Sequence, residues 1–183
     1  MSEDANDRPP GWNYNPSSWH QRLPLIALAV LGFGIASYLA LYQWRVIEDV
    51  WEPFFGNGSK VILNSFISRI LPVPDAALGA LGYLADAISG IIGGRRRWRT
   101  MPWMVLVFGL AVGPLGLASI VLVIMQPTVF GAWCTLCLVS AAISLAMIYP
   151  AIDEVSASLQ YMKREKHAGR SLWSAFWGMA REK

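Results

Sequence analysis

LPLIALAVLGFGIASYLALYQW, residues 23–44, decides the architecture. It carries no charged side chain, and about 20 residues rising 1.5 Å each are enough to cross a ~30 Å hydrocarbon core. It therefore reads as a membrane-crossing helix. Three further stretches have similar reach: residues 74–93 (PDAALGALGYLADAISGIIG), 102–125 and 129–149. Residues 74–93 are interrupted by Asp86, and residues 102–125 hold Pro114 between Gly113 and Gly116, a kink site. The whole chain is 55% hydrophobic and 15% charged, whereas soluble domains run near 45–50% and ~25%. The expectation is an all-α membrane protein, a bundle of four transmembrane helices.

The positive charges fit a topology and not a nucleic-acid surface. Arg95, Arg96, Arg97 and Arg99 fall between spans two and three, and Lys163, Arg164, Lys166, Arg170, Arg181 and Lys183 follow span four. The N-terminal tail adds Arg8 and Arg22, while the loop after span one holds only Arg45, Lys60 and Arg69. The positive-inside rule then puts both termini in the cytoplasm of an inner membrane and the first loop outside. The first 22 residues lack an apolar h-region, so no cleavable signal peptide is expected. Three parts follow: a polar cytoplasmic tail (1–22), the four-helix core (23–150) and an amphipathic basic tail (151–183).

Within the first loop, residues 60–70 put Ile62, Leu63, Phe66, Ile67 and Ile70 on one helical face and Lys60, Asn64 and Ser68 on the other. This pattern predicts an outer half-helix lying in the interface as a lid. It follows the turn-forming WEPFFGNGS and ends at LPVPD, where Pro74 can open the next helix. Beyond Asp153, Leu172, Trp173, Phe176 and Trp177 beside basic residues predict a second interfacial helix, on the inner leaflet or against a partner.

The two cysteines, Cys134 and Cys137, stand three residues apart at the start of span four. On a helix this spacing separates Cα atoms by roughly 5 Å, inside the disulfide window, so the pair can cycle between thiol and disulfide without refolding. Proximity to a helix N-terminus lowers a thiol's pKa, by an amount that depends on whether the helix starts at Val129 or Gly131. No four-ligand zinc site is available, because His20 and His167 map to the other side of the membrane. No haem attachment fits, because Leu138 follows Cys137. Outward-facing redox chemistry and plain packing of two small side chains both remain open.

WCTLCLVS (133–140), GSKVILNS (58–65) and LPVPDAALGALGY (71–83), in this topology, resemble the vitamin K epoxide reductase family over roughly residues 23–150. The resemblance implies a four-helix bundle that binds a quinone, of ubiquinone or menaquinone type, near the outer face. It implies that Cys134 and Cys137 are the catalytic pair, with Cys137 facing the quinone and Cys134 exchanging with an electron donor such as a thioredoxin-like partner. It further implies quinone-site roles for Asn64, Ser65, Asp75, Gly79 and Tyr83. Asp75 in the first turn of span two has an equally good explanation as a helix-dipole residue, and Ser65 would otherwise be a solvated face residue.

The sequence also departs from the family. Its first loop lacks the second cysteine pair that relays electrons, and Ser59 stands at one of those positions. Serine cannot form a mixed disulfide. No thioredoxin-like stretch follows span four in these 183 residues. Either a partner thiol reaches Cys134 directly, or the chain is a non-catalytic membrane scaffold that kept the bundle; an unrelated quinone-linked disulfide generator would also need a second pair. Asp86, costing ~2.5–3.5 kcal/mol in mid-span, is expected to pair with an arginine among 95–97 or to serve as a proton site.

Overall fold

The computed structural model describes residues 7–69 and 72–179; Ile70, Leu71, Arg181 and Lys183 lie outside them. The described residues are all-helical, with no strand among them. Four long helices pack side by side: α1 (Trp19–Gln43), α3 (Asp75–Ile91), α5 (Pro102–Val129) and α6 (Thr135–His167). Short helices join or follow them: α2 (Gly58–Leu63), α4 (Arg97–Thr100) and α7 (Leu172–Phe176), with a 3₁₀ turn at Ile67–Arg69. By length and composition, α1, α5 and α6 can each cross a membrane.

The bundle core follows from where small residues fall. Along α1, Arg22, Leu25, Ala29, Gly32, Ala36 and Leu39 are buried, a 3-4 alternation that keeps one narrow stripe inward. Ala80, Tyr83 and Ala87 of α3 face that stripe, and Phe108 and Val112 of α5 with Ile143, Met147 and Ala151 of α6 complete the core. Lipid-compatible surfaces supply no hydrophobic drive for association, so close backbone approach by small residues and van der Waals packing carry it. At Gly32 the approach leaves no room for a side chain: a Cβ there would fall 2.5 Å from the Tyr83 ring.

At one end of the bundle, arginines fasten the helices. Arg22 donates to the carbonyls of Gly90 (2.8 Å), Ile92 (2.7 Å) and Gly93 (2.7 Å), satisfying the orphan carbonyls of α3 with a cation at the dipole's negative end. Arg97 pairs with Glu154 of α6, both side chains buried, and its Nη1 also reaches the Ser89 carbonyl at 2.5 Å. Ser17 donates its hydroxyl to the same Glu154. Each charge here has a partner fixed in place.

Three sequence expectations need correction. The third span runs on through Pro127 to Val129, and span four starts at Thr135, not at Val129 or Gly131. Residues 130–134 form a turn in which Gly131 adopts φ +59°, open to glycine, and Cys134 is extended. Their apolar side chains mimic a helix start. Span four also does not stop at Tyr149: α6 continues through Pro150 to His167, roughly 50 Å at 1.5 Å per residue, well beyond a ~30 Å core. Only Leu172–Phe176 remains as a separate tail helix, with Leu172 and Trp173 exposed.

The expected lid over residues 60–70 is not one helix. It breaks at Asn64, the C-cap of α2, and resumes as the 3₁₀ turn. Ile62 and Leu63 are buried, but Phe66, assigned to the same face, is 79% exposed. Ser68, assigned to the polar face, is buried because its hydroxyl donates to the Ile62 carbonyl at 3.0 Å, replacing the lost helical bond.

Candidate active site

Cys134 and Cys137 form a disulfide, with Cα atoms 5.2 Å apart. Cys134 is the N-cap of α6 and not an interior helical residue; its sulfur accepts the Cys137 N–H at 3.2 Å. A cap sulfur sits at the positive end of the helix dipole, which favours the thiolate once the bond is reduced. The two sulfurs have different surroundings. Cys134 is fully buried, whereas Cys137 is half-buried and lines a cavity.

That cavity, about 340 Å³, opens between α1, α3, α5 and α6. Leu39, Leu63, Leu115 and Leu122 make much of its wall apolar, and Asp75, Tyr83, Gln126 and Ser140 give it polar points. Ligand sites commonly combine these features: a concave apolar shell with a few oriented polar groups.

Of the residues singled out from sequence, the cavity brings together Cys137, Asp75, Gly79 and Tyr83. Asp75 opens α3, and its carboxylate accepts from Gln43 Nε2 of α1 at 2.6 Å and from the Ala76 N–H at 2.9 Å. Tyr83 donates its hydroxyl to the Ser140 carbonyl at 2.6 Å and touches the Ser144 hydroxyl at 2.7 Å, linking α3 to α6. Asn64 and Ser65 are not part of the wall. Asn64 is exposed and donates to the Tyr42 hydroxyl (3.0 Å) and the Lys60 carbonyl (2.9 Å), while the Ser65 hydroxyl lies 3.4 Å from that of Ser68.

Asp86 is buried beside a second, very small cavity that shares Tyr83 and Ser144 with the first. Of the arginines expected beside it, Arg97 pairs with Glu154 and Arg96 with Asp7. The Asp86 Oδ1 has no hydrogen-bond partner among the described residues.

Sequence reasoning missed two residues that hold the cysteines. Gln126, 2% exposed, accepts the Cys134 N–H on Oε1 at 2.9 Å. The only signal was an amide in the run VLVIMQP, one residue past the end drawn for span three. Glu52 receives the Ser59 hydroxyl, the Thr135 hydroxyl and the Thr135 N–H (2.9 Å). Burial pushes the Glu52 carboxyl up, but these bonds outweigh it and hold its pKa below the ordinary 4.5. The loop is thereby tied to the first turn of α6, and Gly58 packs so close that a Cβ would collide with the Trp133 carbonyl oxygen.

A helical bundle that sets a cysteine pair against an apolar cavity has the features of a membrane thiol oxidoreductase. The model of the vitamin K epoxide reductase family matches residues 23–152. A search of curated proteins finds no match. The chain belongs to the vitamin K epoxide reductase family, and with that goes an integral membrane setting and oxidoreductase activity of a thiol type.

Proposed function

We propose that this protein is a quinone-linked thiol/disulfide oxidoreductase whose working pair is Cys134 and Cys137. The observation that carries the reading is Cys137 on the wall of an apolar cavity of about 340 Å³, its disulfide partner buried behind it at the head of α6. Once the loop that Glu52 fastens to the first turn of α6 swings away, a thiolate from an outer donor attacks the Cys134 sulfur, the Cys134–Cys137 bond breaks, and a second donor thiolate resolves the mixed disulfide. The donor leaves oxidised and the pair is left as two thiols. A quinone, of ubiquinone or menaquinone type, accepts two electrons and two protons. The two S–H bonds supply both as the S–S bond re-forms, so the step balances without another co-reactant.

The chain's own residues divide the work. Cys137 faces the quinone, the helix dipole stabilises Cys134 as a leaving thiolate, and Asp75, Gly79 and Tyr83 shape the far wall. The 17-residue α3, about 25 Å long, serves as the fourth crossing. The lysine and arginine distribution sets the disulfide end outward and both termini in the cytoplasm. Asn64 and Ser65 act only by supporting the loop above the cavity.

Alkylation trapping tests the reading. A dithiol donor should make both cysteines alkylatable, and added quinone should remove that reactivity; thiols that stay alkylatable with quinone present would overturn it. One observation favours the scaffold reading instead: Ser59 replaces a relay cysteine and is buried in a bond to Glu52. The variant carrying Cys134→Ala and Cys137→Ala separates the two. It retains function and partner association for a scaffold and loses quinone-dependent thiol oxidation for the enzyme.

A further inference from the structure

A quinone ring presents two carbonyl oxygens, which can only accept hydrogen bonds. The cavity therefore needs an uncommitted donor, and most of its polar groups do not offer one. The Tyr83 hydroxyl already donates to the Ser140 carbonyl, and the Ser119 hydroxyl donates to the Leu115 carbonyl at 2.9 Å. Ser140 and Ser144 are gathered around the Tyr83 oxygen. Asp75 accepts from Gln43 and the Ala76 N–H.

Gln126 is different. Its oxygen must face Cys134, because an N–H at 2.9 Å requires an acceptor, and this fixes which end of the amide is which. The Nε2 amide is left over. It has no hydrogen-bond partner among the described residues, on a side chain that is 2% exposed and forms part of the cavity wall. That end of the amide is not sealed away from the cavity, so its N–H is free to meet an acceptor placed there.

We infer that Gln126 is a quinone-site residue whose Nε2–H donates to one ring carbonyl while its Oε1 holds the Cys134 backbone, setting ring and disulfide in one frame. This deepens the quinone reading and rests on it. The same amide strengthens its bond as negative charge develops on the carbonyl oxygen during reduction, because a preoriented donor needs no rearrangement.

The test compares affinities of the detergent-purified protein for 2-methyl-1,4-naphthoquinone and for 2-methylnaphthalene, the same ring system without carbonyls. Binding is read by quenching of the intrinsic tryptophan fluorescence, with no turnover required. Gln126→Met, similar in length and lacking the amide, should weaken the quinone about tenfold and leave the hydrocarbon unchanged. An unchanged ratio of the two affinities in Gln126→Met would overturn the inference and leave the quinone reading standing. A wild-type protein that shows no preference for the quinone would overturn both. Should Gln126→Met fail to fold, Gln126→Asn, one methylene too short to reach both partners, reads the same ratio with the same expectation.

Discussion

The two ends of the bundle solve the problem of polar groups near a membrane in opposite ways. At the arginine end, full charges are buried and saturated: Arg97 against Glu154, Arg22 against three carbonyls at the close of α3. At the disulfide end, the bonds around the cysteines come from amides, hydroxyls and one partly exposed carboxylate, with a cavity between them. A buried ion pair is costly to open once made. Neutral hydrogen bonds worth about 1 kcal/mol each can be exchanged. The permanent contacts are thus placed away from the group that must change covalent state.

The largest expected effect lies at the arginine end. Arg97→Ala leaves Glu154 charged, buried and short of its partner, at a cost of about 3–5 kcal/mol. Unfolding in detergent should show that loss, and replacing both partners by leucine should recover much of it. If Arg97→Ala cost less than removing Glu52, the contrast between a fixed end and an exchangeable end would not hold.

Glu52 gives the next effect. Its pKa is held below 4.5, so its bonds to Ser59 and Thr135 are complete above pH ~4.5 and are lost as pH falls through the lower folded value. Acidification should therefore loosen the loop and speed reduction of the disulfide by a phosphine, which does not depend on a thiolate. The expected gain is about three- to tenfold, the worth of one or two such bonds. Glu52→Gln should be fast already at neutral pH and lose the acid response. Asp49, in an exposed pair with Lys60 at 2.8 Å, titrates nearby, and Asp49→Asn controls for it. A wild-type profile flat through this range would remove Glu52 as the fastening.

The long helices were legible because apolar runs and their breakers are local properties. Residues 23–44 lie almost wholly within Trp19–Gln43, and 74–93 brackets Asp75–Ile91. The boundary between the last two helices was not, because Phe130, Ala132 and Trp133 are as apolar in a turn as in a helix; only the φ of Gly131 separates them. In the same way, hydropathy carries Cys134 into the helix, while the backbone makes it the cap. At the site, Cys137, Asp75, Gly79 and Tyr83 could be named from spacing and resemblance, since each sits on a regular element. Glu52 and Gln126 could not. Their roles depend on contacts 83 and 8 residues along the chain, set by how a loop folds back over a helix end.

The smallest effect is expected at Asp86, which belongs to neither end. It sits mid-bundle, 2% exposed, and its Oδ1 has no hydrogen-bond partner among the described residues. A carboxylate so placed contributes no pairing energy that a substitution could remove. Asp86→Asn has nearly the same volume and replaces a group that must be neutralised or left charged in an apolar interior with one that is always neutral. Stability in detergent should change by less than about 1 kcal/mol, in the stabilising direction if in either. Quinone-dependent loss of cysteine reactivity should be unaltered, since Asp86 is not part of the wall that Cys137 shares. A clear fall in stability would mean that Asp86 has a partner after all, and a fall in the rate of thiol oxidation alone would extend the exchangeable end down α3, through Tyr83 and Ser144, into the middle of the bundle.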